Sequence, residues 1–265
     1  MARAGDPDRT LSALFAPRDA RPDLFALYAL NVELARIAEQ VSEPDLGAIK
    51  LQWWREAIDR ATSGETTGHP VADAFGAVMR RRALPADRVA SLIDARGFDI
   101  APRIMPDRAS LEAYLNDTAG TLFVLSAAIL GGGGGGVEPA AQAAGLAYGL
   151  TGLMRALPIH AASGRLYLPA DALRAHGASP EEVLTGKTTQ GLREALAEVR
   201  ATARAALAAA ERHIAKLDAS TRTAFLPLAL VRPYLAALEK GGHDPLHDIA
   251  GINPLYRLWR LARAS

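Results

Sequence analysis

The chain has 265 residues, of which 49% are hydrophobic and 22% charged, and 30 basic against 29 acidic residues give a net charge of +1. This hydrophobic content is enough for a folded core and excludes a wholly disordered chain. The balanced charge excludes a nucleic-acid-binding protein whose affinity depends on bulk positive charge. Cysteine is absent, which excludes disulfides, thiolate metal sites and cysteine nucleophiles.

Apolar residues recur at helical spacing along most of the chain, and no segment shows the alternation of a strand. The segment Glu194–Leu217 is the clearest helix, because strong helix formers fill it. Proline and glycine mark the breaks. We predict an all-α protein with a single domain, residues 1–265, and helices, some of them merging, near residues 9–15, 22–41, 45–62, 71–82, 86–98, 109–130, 139–157, 170–176, 190–216 and 220–239.

Six consecutive glycines, Gly131–Gly136, form the one low-complexity segment, and we predict a flexible loop there. The run formally satisfies the dinucleotide-binding pattern of spaced glycines. A helical stretch precedes it, however, whereas that pattern requires a strand. We therefore expect no nucleotide site in this loop.

Three segments resemble the squalene/phytoene synthase family, whose members join prenyl diphosphates head to head. They are Leu24–Asp59, Tyr114–Leu122 and Leu146–Leu173. The resemblance extends over about residues 10–235 and implies the isoprenoid synthase fold, a helical bundle around a central cavity. Residues 240–265 then form a C-terminal tail.

Enzymes of this family hold Mg²⁺ with two aspartate-rich motifs on facing helices, and the metal neutralises the leaving pyrophosphate. The first motif aligns behind Tyr28-Ala29-Leu30-Asn31, where its acidic positions are Ala35, Arg36 and Glu39. Only Glu39 keeps a carboxylate, and Arg36 places a cation in the motif. We expect Arg36 and Glu39 to pair locally and to close the former metal site.

The second motif aligns with Gly152, Arg155, Ala156 and His160, so that its asparagine and both aspartates are missing. Pro158 is predicted to kink or end this helix. The basic and tyrosine positions remain as Arg155, Arg165 and Tyr167, which are our candidates for binding an anion or diphosphate. One carboxylate cannot hold a cluster of Mg²⁺ ions, so we expect no metal site and no cofactor.

This pattern of loss resembles a non-canonical branch of the family that includes a mitochondrial assembly factor of respiratory complex I. The resemblance lies in the run Arg155–His160 and in the tail segment Asn253–Arg260. It implies a non-catalytic pseudoenzyme that acts with a protein partner in assembling a membrane respiratory complex.

Two alternatives stay open. The first is an active prenyltransferase with an altered, Mg²⁺-dependent diphosphate site, which a rearranged carboxylate cluster from Glu56, Asp59, Asp99 or Asp117 would favour. The second is an isoprenoid- or lipid-binding protein whose cavity holds a prenyl or lipid ligand, with Arg155 at its mouth.

The sequence also makes expectations about surfaces and location. Trp53 and Trp54 are adjacent on one helix, so one is expected in the core and the other at the surface. The tail carries Tyr256, Trp259 and three arginines, and it either contacts a membrane surface or docks on the domain. No apolar stretch of about 18 residues predicts a membrane-spanning helix. We expect a cytoplasmic location, with peripheral contact to the inner membrane as an open question.

Overall fold

The computed structural model describes residues 5–41, 43–132 and 134–265, and all regular elements within these ranges are helical. An isolated parallel bridge joins Ile104 to Leu166. The prediction of an all-α fold is therefore confirmed. Within the described ranges, no helix combines the length and the hydropathy that crossing a membrane requires.

Fifteen α-helices can be named in the described residues, together with two 3-10 segments, Arg96–Phe98 and Thr223–Leu230, and a π-helical turn, Asn116–Gly120. The α-helices are α1 (Pro7–Ala13), α2 (Arg21–Gln40), α3 (Pro44–Ser63), α4 (Pro70–Arg82), α5 (Ala86–Ala95), α6 (Arg108–Leu115), α7 (Thr121–Ile129), α8 (Val137–Arg155), α9 (Leu157–Ala162), α10 (Ala170–Ala175), α11 (Pro180–Leu184), α12 (Gln190–Ile214), α13 (Ala219–Arg222), α14 (Val231–Leu238) and α15 (Pro254–Ala264).

The helices α2, α3, α4 and α12 lie within two residues of their predicted bounds. Prolines occupy the first turns of α2, α3 and α4, where a missing N–H group costs no hydrogen bond. The predicted break at Pro158 is also confirmed. Helix α8 ends at Arg155, and Pro158 lies in the first turn of α9.

One predicted helix was wrong, and two further helices were not predicted. The helix expected at 220–239 is divided into α13, a 3-10 segment and α14, because Pro227 cannot donate a backbone hydrogen bond inside it. Helix α11 was not among the predicted helices, although Ser179 and Glu182 form a capping box at its start. The C-terminal tail contains α15, which begins after Asn253 caps its first backbone amides.

The centre of the fold is α8, which packs along α12 and against the π-helical turn. A run of small buried residues on α8 allows this approach, and it includes Ala140, Ala144 and Ala147. A Cβ atom built on Gly145 would lie 2.5 Å from the backbone nitrogen of Gly120. The two backbones therefore come as close as the absence of side chains permits.

The glycine run lies between α7 and α8, as predicted, although Gly133 is outside the described residues. At the other end of the fold, α15 packs on α1 and on the 3-10 segment Thr223–Leu230. A second hydrophobic cluster forms there from Leu226, Leu230, Tyr234 and Leu261. Helices α1 and α15, which are far apart in the sequence, therefore pack against each other and against the same 3-10 segment.

Candidate functional site

The first degenerate motif lies along the second half of α2. Asn31 is buried, Ala35 and Arg36 are half-buried, and Glu39 is exposed in the last turn. The structure contains no salt bridge between Arg36 and Glu39, so the predicted local ion pair was wrong. An exposed pair gains little in water, where solvation competes with the attraction of the charges.

Asp99 directly follows the 3-10 turn Arg96–Phe98 and is 5% exposed. The hydroxyl of Tyr114 donates to its Oδ1 at 2.9 Å, and the hydroxyl of Tyr167 donates to the same oxygen. Arg96 donates to Oδ2 at 3.1 Å. We call Asp99, Arg96, Tyr114, Tyr167 and Asn31 the Asp99 cluster.

Asn31 joins the Asp99 cluster through Arg96, whose Nη2 donates to the side-chain oxygen of Asn31 at 2.8 Å. Burial and the nearby Asp99 carboxylate raise the pKa of the Tyr114 hydroxyl. Burial also raises the pKa of Tyr167, with Tyr114 and Asp99 adding to the effect. Both hydroxyls stay protonated at neutral pH and can serve as donors to the carboxylate.

Two more predicted residues border the Asp99 cluster. Arg165 donates from Nη1 to the backbone carbonyl of Asp99 at 2.9 Å. The ring of His160 packs on Tyr167, with 4.6 Å between ring centroids. Burial and the Arg165 charge lower the pKa of His160 to about 4, so the imidazole is neutral at pH 7.

The structure thus brings together Asn31, His160, Arg165 and Tyr167, which come from both motifs, and organises them around Asp99. The sequence had marked Asp99 only as one possible member of a rearranged carboxylate cluster. Within the described residues, no group of three or more His, Cys, Asp or Glu side chains is placed to hold a metal ion. The rearranged cluster that would favour the enzyme is not found there.

The Mg²⁺ that the family's chemistry implies does not fit these residues. Mg²⁺ takes oxygen ligands in octahedral geometry, and in such sites these come from carboxylates and substrate phosphates. Glu39 is a lone exposed carboxylate, and Arg36 adds a positive charge to the same helix. The Asp99 carboxylate already accepts hydrogen bonds from two tyrosines and an arginine.

The second motif carries small side chains at two of its aligned positions. A Cβ atom built on Gly152 would meet no heavy atom within 4 Å, and Ala156, one turn further, is half-buried. Position 152 on α8 therefore has room for a larger side chain.

Arg155 belongs to a second group, which we call the Asp8 cluster: Asp8, Arg155, Tyr234 and Arg257. The guanidinium carbon of Arg155 lies 3.5 Å from the centroid of the Tyr234 ring, and its Nε donates to the carbonyl of Ala250 at 3.0 Å. Arg155 Nη1 is 3.9 Å from Asp8 Oδ2, and Arg257 Nε is 3.1 Å from Asp8 Oδ1. The three candidates for anion binding are therefore divided between two clusters.

The sequence profile of the squalene/phytoene synthase family matches residues 2–260. NADH dehydrogenase (ubiquinone) complex I, assembly factor 6 from Bos taurus is 29% identical over 247 residues, which cover 93% of this chain and 74% of that protein. The Homo sapiens protein of the same name is 26% identical with the same coverage. Phytoene synthase from Thermus thermophilus is 27% identical and covers all of this chain and 90% of that enzyme.

Solved structures agree with these sequence matches. Squalene synthase HpnC from Alicyclobacillus acidocaldarius superimposes with a TM-score of 0.81 at 22% identity, over 92% of both chains. A dehydrosqualene synthase in complex with ligand superimposes with a TM-score of 0.79 at 15% identity, over 99% of this chain and 92% of that one. The predicted isoprenoid synthase fold is confirmed.

Proposed function

The chain belongs to the squalene/phytoene synthase family, and we propose that it acts without catalysis in the assembly of a membrane respiratory complex of the complex I type. One observation carries the proposal. The buried carboxylate among the predicted site residues, Asp99, is bound to Arg96, Tyr114 and Tyr167, while both aspartate-rich motifs have lost their ligands. The similarity to assembly factor 6 proteins supports the same role.

The chemistry of the enzymes explains why this loss matters. Ionisation of a prenyl diphosphate develops negative charge on the pyrophosphate, which metal ions and cations must stabilise. Removal of one well-placed stabilising group typically costs about two to three orders of magnitude in rate. In this chain Glu39 is the one motif carboxylate that remains, and it is exposed.

The residues of the Asp99 cluster have a structural use. Arg96 links α2, through Asn31, to Asp99 and to Tyr114 on α6. Tyr167, on the segment between α9 and α10, donates to the same carboxylate. The former site thus becomes a polar connection between helices, which stabilises the bundle as a scaffold for a protein partner at a membrane.

The assembly role is tested in cells that lack the endogenous assembly factor 6 protein. This chain, targeted to the same compartment, is expected to restore assembled complex I on native gels together with NADH:quinone activity. Phytoene synthase from Thermus thermophilus, expressed at the same level, is the matched control because it shares the fold. No restoration by this chain, at confirmed expression and location, would contradict the assembly role.

A second experiment tests catalysis directly. The purified protein is incubated with labelled farnesyl or geranylgeranyl diphosphate, with Mg²⁺ or Mn²⁺, and with or without NADPH. We expect no pyrophosphate release above a heat-denatured control. Release that disappears in Glu39→Gln, a change at an exposed position, would establish the prenyltransferase instead.

The same incubations test the isoprenoid-binding alternative. A rise in melting temperature with a prenyl diphosphate or a quinone, without turnover, would indicate a ligand in the open space beside Gly152. Gly152→Leu fills that space and is expected to abolish such a rise. No ligand-dependent shift is expected if the role is structural alone.

A further inference from the structure

Helix α15 exposes most of its large apolar residues to solvent and turns two of its arginines towards the domain. Leu255 is 78% exposed and Trp259 50% exposed, and Leu258 and Tyr256 are exposed beside them. Leu261 is buried, and Arg257 and Arg260 also turn towards the protein. The apolar residues Leu255, Leu258 and Trp259 therefore lie on the solvent side, which we call the outer face of α15.

Specific contacts hold the helix in this orientation. Arg257 Nε lies 3.1 Å from the buried carboxylate of Asp8, and Arg260 donates to the carbonyl of Ala229 at 3.1 and 3.3 Å. Rotation of α15 to bury Trp259 would remove both arginines from these partners and leave Asp8 with fewer cations. A buried charge without a partner costs several kcal/mol of folding free energy, so the observed orientation is the more stable one.

An exposed apolar face of this kind is costly in water and indicates a surface that is covered in use. The charged residues of α15 indicate what covers this face. Residues 249–265 contain no acidic side chain, and Arg263, the arginine of α15 that is not turned towards the domain, lies near Trp259, with 5.5 Å between the ring centroid and the guanidinium carbon. Aromatic residues with arginine are typical of helices that lie in the interface of a membrane.

A groove beside α15 adds to the positive charge. It has a volume of about 420 Å³, and its lining includes Arg222, Arg232 and Arg260, with Glu211 as its acidic residue. Glu211 pairs with Arg232 at 2.8 Å. Arg222 and Arg260 donate to backbone carbonyls, and neither has a carboxylate partner among the described residues. The groove therefore carries excess positive charge that suits a phosphate group.

We propose that the outer face of α15 docks on an anionic phospholipid membrane. Leu255, Leu258 and Trp259 enter the boundary between headgroups and acyl chains, and Arg263, beside Trp259, meets a lipid phosphate. Depth of insertion is limited to the interface, because α15 has only 11 residues and lies along the surface of the domain. Docking of α15 rests on the proposed assembly role and gives that role a membrane surface. The contacts that support it are those of α15 and of the groove beside it.

Vesicle co-sedimentation with the full-length protein tests the proposal. We expect binding to vesicles of phosphatidylcholine with about 30% phosphatidylglycerol, and weaker binding to pure phosphatidylcholine or in about 0.5 M salt. The double variant Leu255→Ser/Trp259→Ser is expected to bind the anionic vesicles at least about tenfold more weakly. Ile49→Ser, at a 65% exposed position on α3, is the matched control and should bind like the parent.

Two variants separate the contributions. Arg263→Gln is expected to weaken binding to anionic vesicles and to leave binding to neutral vesicles unchanged. Trp259→Phe should abolish the vesicle-induced blue shift of tryptophan fluorescence, although Trp53 and Trp54 remain. All variants are checked by circular dichroism and urea unfolding, and no loss of fold is expected because the changed side chains are solvent-exposed.

Equal sedimentation of the parent and the double variant would overturn the proposal. So would a dimer in solution that the double variant converts to monomer without any vesicle binding, since α15 would then contact a second copy. Restoration of complex I in the cellular experiment does not depend on these results. Failure of membrane docking and failure of the assembly role are therefore distinguishable.

Discussion

The hydroxyl of Tyr234 donates to both carboxylate oxygens of Asp8, at 3.0 and 2.9 Å, although 226 residues separate the two in sequence. Both side chains are buried. Asp8 also neighbours Arg257 and Arg155, so one carboxylate connects α1, α8, α14 and α15. The Asp8 carboxylate therefore holds α15, through Arg257, in the orientation that exposes its outer face.

Tyr234→Phe removes one donor from the buried Asp8 carboxylate and keeps the ring under Arg155. We expect a loss of about 1–3 kcal/mol in the free energy of unfolding, because the carboxylate keeps its desolvation without that hydrogen bond. Urea unfolding followed by circular dichroism measures the change. Tyr256→Phe, at an exposed position, is the control, and an equal loss in both variants would contradict the role of the Asp8 cluster.

Asp99→Asn removes the charge that opposes Arg96 in the Asp99 cluster. The buried guanidinium then lacks a counter-ion, and we expect the free energy of unfolding to fall by about 3 kcal/mol or more. Asp94→Asn is the matched control, because its side chain is 61% exposed in an ion pair with Arg55. That change should cost less than about 1 kcal/mol. Similar losses would show that Asp99 is not a structural centre.

His160 predicts a specific dependence of stability on pH. Its pKa is about 4 in the folded protein against 6.5 when exposed, because burial and Arg165 disfavour the charged ring. The folded state therefore binds fewer protons, and stability is lost as the pH falls from 6.5 towards 4, by up to about 3 kcal/mol.

Urea unfolding at several pH values between 7.5 and 4 measures this dependence. His160→Gln removes the titrating ring, and its stability should fall less steeply across the same range than that of the parent. Other carboxylates titrate in both proteins, so the difference between the two curves isolates His160. Parallel curves would mean that His160 is not held neutral by its surroundings.

Two glycines of α8 provide an internal comparison. A methyl group at Gly145 would collide with the backbone of Gly120, whereas one at Gly152 would meet open space. We expect Gly145→Ala to destabilise the protein by about 2 kcal/mol or more through overpacking. Gly152→Ala should be neutral or stabilising by up to about 1 kcal/mol, since alanine is the better helix former. Thermal unfolding of both variants measures the difference, and equal melting temperatures would contradict the expected close packing at Gly145.

Local signals in the sequence were sufficient for the long helices. The apolar spacing in α2 and α3, the prolines in their first turns and Pro158 at the break after α8 all act within a few residues. The family resemblance supplied the fold and placed Asn31, His160, Arg165 and Tyr167 near one another. Trp54 is buried and Trp53 partly exposed, as their adjacent positions on a helix required.

The hydrogen-bond and ion-pair partners of Asp99 and of the arginines on α15 could not be predicted from the sequence. Asp99 and Arg96 are three residues apart, but the two tyrosines that complete the cluster come from α6 and from the segment before α10. Helix α15 was missed as a helix, and its inward arginines depend on Asp8 and on the carbonyl of Ala229. Such partners are distant in sequence, and a periodic pattern carries no information about them.

The Asp8 cluster also has a consequence for how the protein is made. Helix α1 is translated before α14 and α15, so its buried carboxylate has no complete set of partners until Tyr234 and then Arg257 have been translated. Completion of the Asp8 cluster therefore comes late in the synthesis of this segment, and long-range contacts of this kind slow folding. A nascent chain stalled before residue 234 would hold the Asp8 carboxylate without the tyrosine hydroxyl that donates to it in the folded protein.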